Sequence, residues 1–411
     1  MKRYLSAAEA ADLLGVSKAT LYAYVSRGLI RSESLGGQSR ARRYLSEDVH
    51  KLRERKEYRQ NPAQVAQDAL HWGTPLLDSS LTLITDETLY YRGHDASALA
   101  RTSTIEQVAA LLWTGDLREQ ATLFPPQNSP SPVVDRLDSS LTPMQRMTIA
   151  LALADDLAAY DLRPQSVART GARILSRIAA AATLQPLLEG GIAAHLRRAW
   201  KPDDPPIEHL LDAALILCAD HELNVSSFTA RVVASADATP YAVVIAGLAA
   251  LQGVKHGGNT ERVEAFFREI STPSRDTHDV TNRITTITAE RLRRGELIPG
   301  FGHSLYPHGD PRAKVLLALL EEAYPNAPEV EFVLTLAQRV AAMIEHYPNV
   351  DFALAALAHA AHLPQGSPLT LFALGRAVGW IGHAIEQYAA NSMIRPRAAY
   401  VGEMPESSNR D

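Results

Sequence analysis

The chain has 411 residues, 46% of them hydrophobic and 21% charged, with a single cysteine. This is the balance of a soluble globular protein with room for two or three domains, and one thiol excludes an intrachain disulfide framework. The net charge of −5 is uneven: residues 1–60 hold 13 Lys/Arg against 7 Asp/Glu, so a head of +6 precedes a body of −11, and two different partners are expected.

The first residues, MKRYLSAAEA, contain no apolar run of the kind a secretory leader needs. The longest apolar stretch, around Tyr241–Leu251, is too short to cross a bilayer. Cys218 lies in the apolar run Ala213–Ala219, where a buried thiol is expected and a reducing compartment fits. Together these features predict a cytoplasmic protein with no membrane partner.

Ser6-Ala7-Ala8-Glu9 reads as a capping box, which starts a helix that closes near Gly15. Ser17 can cap a second helix, Lys18 to Arg27, ended by Gly28. Ile30 to Tyr44 holds Gly36-Gly37, a hairpin turn signal, followed by Arg40, Arg42 and Arg43. Ser46-Glu47-Asp48 starts a third helix that runs to about Arg59 and is broken at Asn61-Pro62. Helix, turn, helix, wing and helix make a small unit over residues 1–60, and residues 61–72 read as a linker. The segment LSAAEAADLLGVSKATLYAYVSRGLI with its following RRY resembles the MerR/excisionase winged-helix group. That resemblance implies DNA as a partner. Lys18, Thr20, Tyr22 and Arg27 are candidates on the second helix, with Arg40, Arg42 and Arg43 on the wing. A helix-turn-helix fold used for protein contacts is the other reading.

Beyond the linker, Leu81–Ile84 and Thr88–Tyr91 flank a turn and predict a small hairpin. After it the chain reads as helical almost throughout, with apolar residues at three- and four-residue spacing, as in Val333, Leu336, Val340 and Met343. The fold class is therefore all-α, with a proline-rich loop over Phe124–Val133 and a disordered tail after Gly402. A strand, Gly-rich loop and helix in succession, as a dinucleotide fold requires, is not seen.

Three segments place a titratable residue beside glycine or proline: Lys255-His256-Gly257-Gly258-Asn259, Pro299–His303 with Asp310-Pro311-Arg312, and Tyr347–Phe352 around Asp351. Two histidines and a carboxylate can supply a base and two electrophilic donors, which suits proton abstraction beside a carbonyl. Arg312, Arg376 and Arg395 are candidates for forked carboxylate binding. His359 and His362, at i, i+3 spacing without an evident third ligand, read as a structural pair, so no metal is expected. Trp380 and His383 read as packing residues.

At these residues the chain resembles the citrate synthases, over roughly residues 75–402. The motifs are YYRGHDASALA at Tyr90–Ala100, HELNVSSFTARVVAS at His221–Ser235, HGG at His256, GFGH with DPRAK at Gly300–Lys314, YPNVDF at Tyr347–Phe352, LFALGRAVGWIGHAIEQ at Leu371–Gln387 and IRPRAAYVG at Ile394–Gly402. The resemblance implies an all-α homodimer, or a higher oligomer, that joins an acyl-CoA to oxaloacetate and needs no cofactor beyond the CoA thioester. It implies a large domain of residues 73–258 and 362–411 and a small domain of 259–361. Asp351 is then the base, His256 the donor to the thioester oxygen and His303 the donor to the ketone. His221, Arg312, Arg376 and Arg395 bind the dicarboxylate, with Arg395 reaching across the dimer. The family pattern GFGHRVYK is altered here at Ser304 and Pro307, which lowers the expected hold on CoA. The usual HGGAN reads His256-Gly257-Gly258-Asn259-Thr260, and Lys255 replaces an apolar residue. Besides synthesis from acetyl-CoA or propionyl-CoA, two further functions stay open: a metabolite-sensing DNA-binding regulator and a citryl-CoA-type lyase.

Overall fold

The structure, a computed structural model, describes residues 4–27, 29–34, 42–46, 48, 49, 52, 77–125, 134–187, 189–271, 280–398 and 400–403. The predicted Gly28 stop, the Gly36-Gly37 turn, Arg40, most of the third helix of the head, the linker, most of the proline-rich loop and most of the tail lie outside the described residues. The chain divides into two compact units, Met1–Asp78 and Ser79–Asp411.

In the first unit the capping logic holds. Ser6 accepts from the backbone of Glu9 while the Glu9 carboxylate accepts from the backbone of Ser6, so the helix Ala7–Leu14 starts at a closed box. Gly15, at φ +58°, ends it. Ser17 caps the helix Lys18–Ser26, with Arg27 at its far end. Strands Tyr4–Ser6, Ser32–Ser34 and Arg42–Leu45 form an antiparallel sheet with Arg42–Leu45 in the middle. A small core of Ala10, Leu14, Leu21, Ile30, Tyr44 and Val49 joins helices and sheet.

The second unit opens with the predicted hairpin, Thr82–Ile84 against Leu89–Tyr91, to which the short strand His94–Asp95 adds. The rest of its regular structure is helical among the described residues. No described helix is long and apolar enough to cross a membrane. The predicted apolar spacing falls in the helix Pro328–Ile344, where Val333, Leu336 and Val340 are buried. One continuous core runs from Leu81 to Ile385. At its centre lies the helix Ser367–Ala390, buried on nearly every side. Such burial all round needs helix neighbours at close range. Gly379 permits this: a Cβ there would fall 2.4 Å from the carbonyl oxygen of Ala219. The Gly379 N–H instead donates to that oxygen at 2.9 Å.

Candidate active site

The site begins where the helix Ile207–Cys218 ends. A helix terminus leaves carbonyls without intrahelical partners, and here the long helix supplies partners at i, i+3 and i+7. Arg376 Nε donates to Cys218 O at 2.7 Å, Gly379 N to Ala219 O, and His383 Nε2 lies 3.1 Å from Asp220 Oδ1. Thr82 donates to the other Asp220 oxygen at 2.6 Å. Burial alone would raise the Asp220 carboxyl, but His383 and Arg376 hold it below the usual range. Three successive residues gripped in this way fix the position of the fourth, His221. His383 therefore does more than the packing expected of it, whereas Trp380 does pack, against Gly247.

His221 is buried, with its Nε2 3.0 Å from the hydroxyl of Tyr306 and its ring 5.2 Å from that of His303. Burial, followed by Arg312 and Arg376, pushes it well below an ordinary imidazole. Arg312 forms a bidentate pair with Asp310, Nε to Oδ1 at 2.9 Å and Nη2 to Oδ2 at 2.7 Å, and both are buried. Breaking such a pair costs about 3–5 kcal/mol, because one charge is left uncompensated. Asp310 also caps the helix Pro311–Ala323 and accepts from Val350 N at 3.0 Å, tying this arginine to the start of the helix Val350–Ala360.

The glycine-rich segment runs beside the Tyr347–Asn349 segment. Gly302 N donates to Tyr347 O and Asn349 N to Gly300 O. Gly300 has φ +85°, and a Cβ there would press on Phe352 at 3.0 Å, so glycine is required. This pairing sets His303 beside the helix that begins at Val350. His303 Nδ1 accepts from Leu305 N at 3.2 Å, which leaves the proton of the neutral ring on Nε2. Burial and then Arg312 bring His303 down to about 4, so it is neutral at pH 7.

His256 sits in the turn before the helix Asn259–Ser271, with Nε2 2.8 Å from Ser226 Oγ. Burial, with Arg376 second, lowers it to about 4. Asp351 lies in the first turn of Val350–Ala360, where Asn349 caps its backbone and Asn259 Nδ2 donates to Oδ2 at 2.8 Å. Burial drives its carboxyl up to about 6, against the pull of Asn259, Arg312 and Arg376. The result is a carboxylate of raised basicity, three imidazoles of lowered basicity and two buried guanidinium groups in one cluster.

Six of the seven predicted body residues thus converge: His221, His256, His303, Arg312, Asp351 and Arg376. Arg395 is exposed on the extended segment after the long helix and makes no hydrogen bond among the described residues. Ser304, Pro307 and Lys255 are exposed. In the head, Lys18, Tyr22, Arg27 and Arg42 are exposed. Thr20 is half-buried, its hydroxyl 3.0 Å from that of Ser17. Arg43 pairs with Glu33 and covers the Tyr4 ring at 4.2 Å. Tyr306, Asn259, Asp220, Ser226 and His383 carry contacts that the one-dimensional reading does not assign. Asn259, Tyr306 and Asp220 stand close in sequence to the predicted histidines, which could have drawn attention to them; Ser226 and His383 carry no such signal.

Residues 69–397 match the family described as citrate synthase, C-terminal domain, and residues 4–57 match a helix-turn-helix domain. Citrate synthase 2 of Bacillus subtilis is 30% identical over 367 residues, covering 80% of this chain and 94% of that protein. The 2-methylcitrate synthase of Mycobacterium tuberculosis is 30% identical over 349 residues, covering 77% of this chain and 85% of that protein. Among solved structures, citrate synthase from Thermotoga maritima superposes with a TM-score of 0.66 at 27% identity, over 81% of this chain and 95% of that one.

Proposed function

The chain belongs to the citrate synthase family, and from that premise we propose that it condenses an acyl-CoA with oxaloacetate and then hydrolyses the thioester so formed. The observation that carries this reading is the meeting of Asp351, His256 and His303 around Arg312 and Arg376.

The thioester α-proton is too weakly acidic for a lone carboxylate. Asp351 takes it while His256 donates a hydrogen bond to the thioester oxygen, a contribution of about 3–4 kcal/mol for one preorganised donor. That donation requires the His256 proton on Nδ1. Ser226 has two acceptors 2.8 Å away, Asn224 Oδ1 and His256 Nε2. When its hydroxyl turns to His256, Nδ1–H is left to face the acyl group. The enol carbon then attacks the ketone carbon of oxaloacetate, whose oxygen receives the Nε2–H of His303. Arg312, Arg376 and His221 hold the two carboxylates, and Arg395 adds to them from the partner of a homodimer. Residues 259–361 form the smaller domain that closes over both substrates and excludes water until the base is in place. The family's chemistry uses CoA as substrate and no further cofactor. With Ser304 and Pro307 in place of basic residues, CoA is held more weakly and its KM is raised.

Acetyl-CoA is the expected donor, with propionyl-CoA as the alternative, since relatives of both kinds match. The two differ by one methylene, worth about 1–3 kcal/mol in a pocket. Thiol release is measured with oxaloacetate and each acyl-CoA. Release that needs both substrates supports the reading. No release from either, with oxaloacetate instead appearing from a citryl-CoA thioester, favours the lyase direction.

A second reading concerns the head, where Lys18, Tyr22, Arg27 and Arg42 are exposed within the helix-turn-helix match. It makes the protein a DNA-binding regulator, with the body as sensor. Its signature is a binding constant that falls steeply with salt, a slope that flattens when Arg42 becomes Ala, and a sequence preference that shifts when Lys18 does. Binding indifferent to both substitutions makes the head a protein-contact module.

A further inference from the structure

We propose that Asn259 is a positioning residue that presents Asp351 to the acyl group in fixed register with His256. This role rests on the synthase reading above. Asn259 belongs to both sides of the acyl-CoA chemistry. Its backbone N–H donates to His256 O at 3.0 Å, and its side-chain Nδ2 donates to Asp351 Oδ2 at 2.8 Å. The turn between them is stapled by Thr260 Oγ1, which donates to Gly257 O at 2.8 Å, and by Gly258 N, which donates to Leu251 O at 3.1 Å. Asp351 in turn has its backbone N–H on Asn349 Oδ1 at 3.1 Å. A carboxylate torsion is broad and nearly two-fold, so a capped backbone alone does not choose which oxygen faces the substrate. The Asn259 amide does: Oδ2 is engaged, and Oδ1, which accepts no hydrogen bond among the described residues, is the oxygen that takes the proton.

The same contact sets how readily Asp351 gives the proton up. Arg312, Arg376, Asp310 and the Cys218 thiol act on it through space, yet Asn259 alone among the described residues donates to its carboxylate. A donor to the charged form favours that form, so Asn259 works against burial and keeps Asp351 ionised at neutral pH.

The test uses the full chain with Asn259→Ala and Asn259→Ser. Carboxyl-13C-labelled aspartate reports the titration of Asp351, assigned by the signal lost in Asp351→Asn, without any turnover. In parallel, kcat and KM are followed against pH, and melting is recorded. Asn259→Ala moves the Asp351 titration and the acid limb of kcat/KM upward together by about one pH unit. Its plateau kcat falls about tenfold, while KM for oxaloacetate stays the same. Asn259→Ser, which keeps a donor, recovers part of both. CoA release by the wild type with an unmoved titration and limb in Asn259→Ala overturns this role alone. No CoA release by the wild type overturns the synthase reading, and this role with it.

Discussion

On the side of the site where His221, Arg312 and Arg376 meet, each group is held by another buried part of the fold: the Tyr306 hydroxyl, the bidentate Asp310 carboxylate and the Cys218 carbonyl at a helix end. On the side of His256 and Asp351, each reacting side chain is held by one polar neighbour, Ser226 or Asn259. The first arrangement suits the recognition of an anion, since each cationic group already has a partner that fixes its direction within its own domain. The second suits proton transfer, where one hydroxyl can turn and one carboxylate must gain and lose a proton.

The most severe way to break that contrast is at the rigid side. Arg312→Met removes the forked partner of Asp310, leaves that carboxylate buried without its counter-charge, and takes away a guanidinium proposed to bind substrate. We expect kcat/KM to fall by about 10³-fold and stability by about 3–5 kcal/mol, read from steady-state rates and the urea midpoint. An active, equally stable variant would mean that the rigid side is not the binding side.

Next comes the side where each group has a single polar neighbour. Asp351→Asn is expected to cut kcat by about 10²-fold or more and leave oxaloacetate binding, measured by calorimetry, nearly unchanged. In the wild type, activity is expected to rise with pH through about 6, because the raised Asp351 would have to lose its proton before acting as base. His256 and His303, lowered to about 4, are already neutral over that range and add no limb. An acid limb near 4 would remove Asp351 from the role.

The mildest probe sharpens the comparison. His383→Gln keeps a donor within reach of Asp220 but loosens the grip on the turn that carries His221. KM for oxaloacetate is expected to rise about tenfold, with KM for acyl-CoA unchanged. Equal changes in both constants would show that the Asp220 anchor serves the whole fold rather than one half of the site.

Local chemistry made much of the molecule readable from the chain. The Ser6–Glu9 box, the Ser17 cap and the Leu81–Tyr91 hairpin are each specified within a few residues, and all are present. The glycine-flanked histidines were readable for a related reason, since a Gly-His pair in a turn is a local pattern. Contacts that pair distant residues were not. Asn259 meets Asp351 across 92 positions, and Asp220 meets His383 across 163. Nothing in either segment alone signals its partner, and an isolated histidine on an apolar helix such as Ser367–Ala390 reads as packing. Arg43 shows the opposite case. It reads as a free wing cation, yet Glu33 on the neighbouring strand takes it up.

The guanidinium of Arg376 has a thermodynamic side. Nε is bonded to Cys218 O, but Nη2 is buried with no hydrogen-bond partner among the described residues. An unsatisfied buried donor costs about 1–3 kcal/mol, and more when it is charged, so a group that accepts from it adds to the stability of the fold. A carboxylate that relieves it binds the folded chain and not the unfolded one. Linkage then ties ligand affinity to heat resistance, with about 2.7 kcal/mol gained at a hundredfold excess over Kd. Small anions can therefore be ranked by their melting midpoints alone, with no thioester present and no turnover.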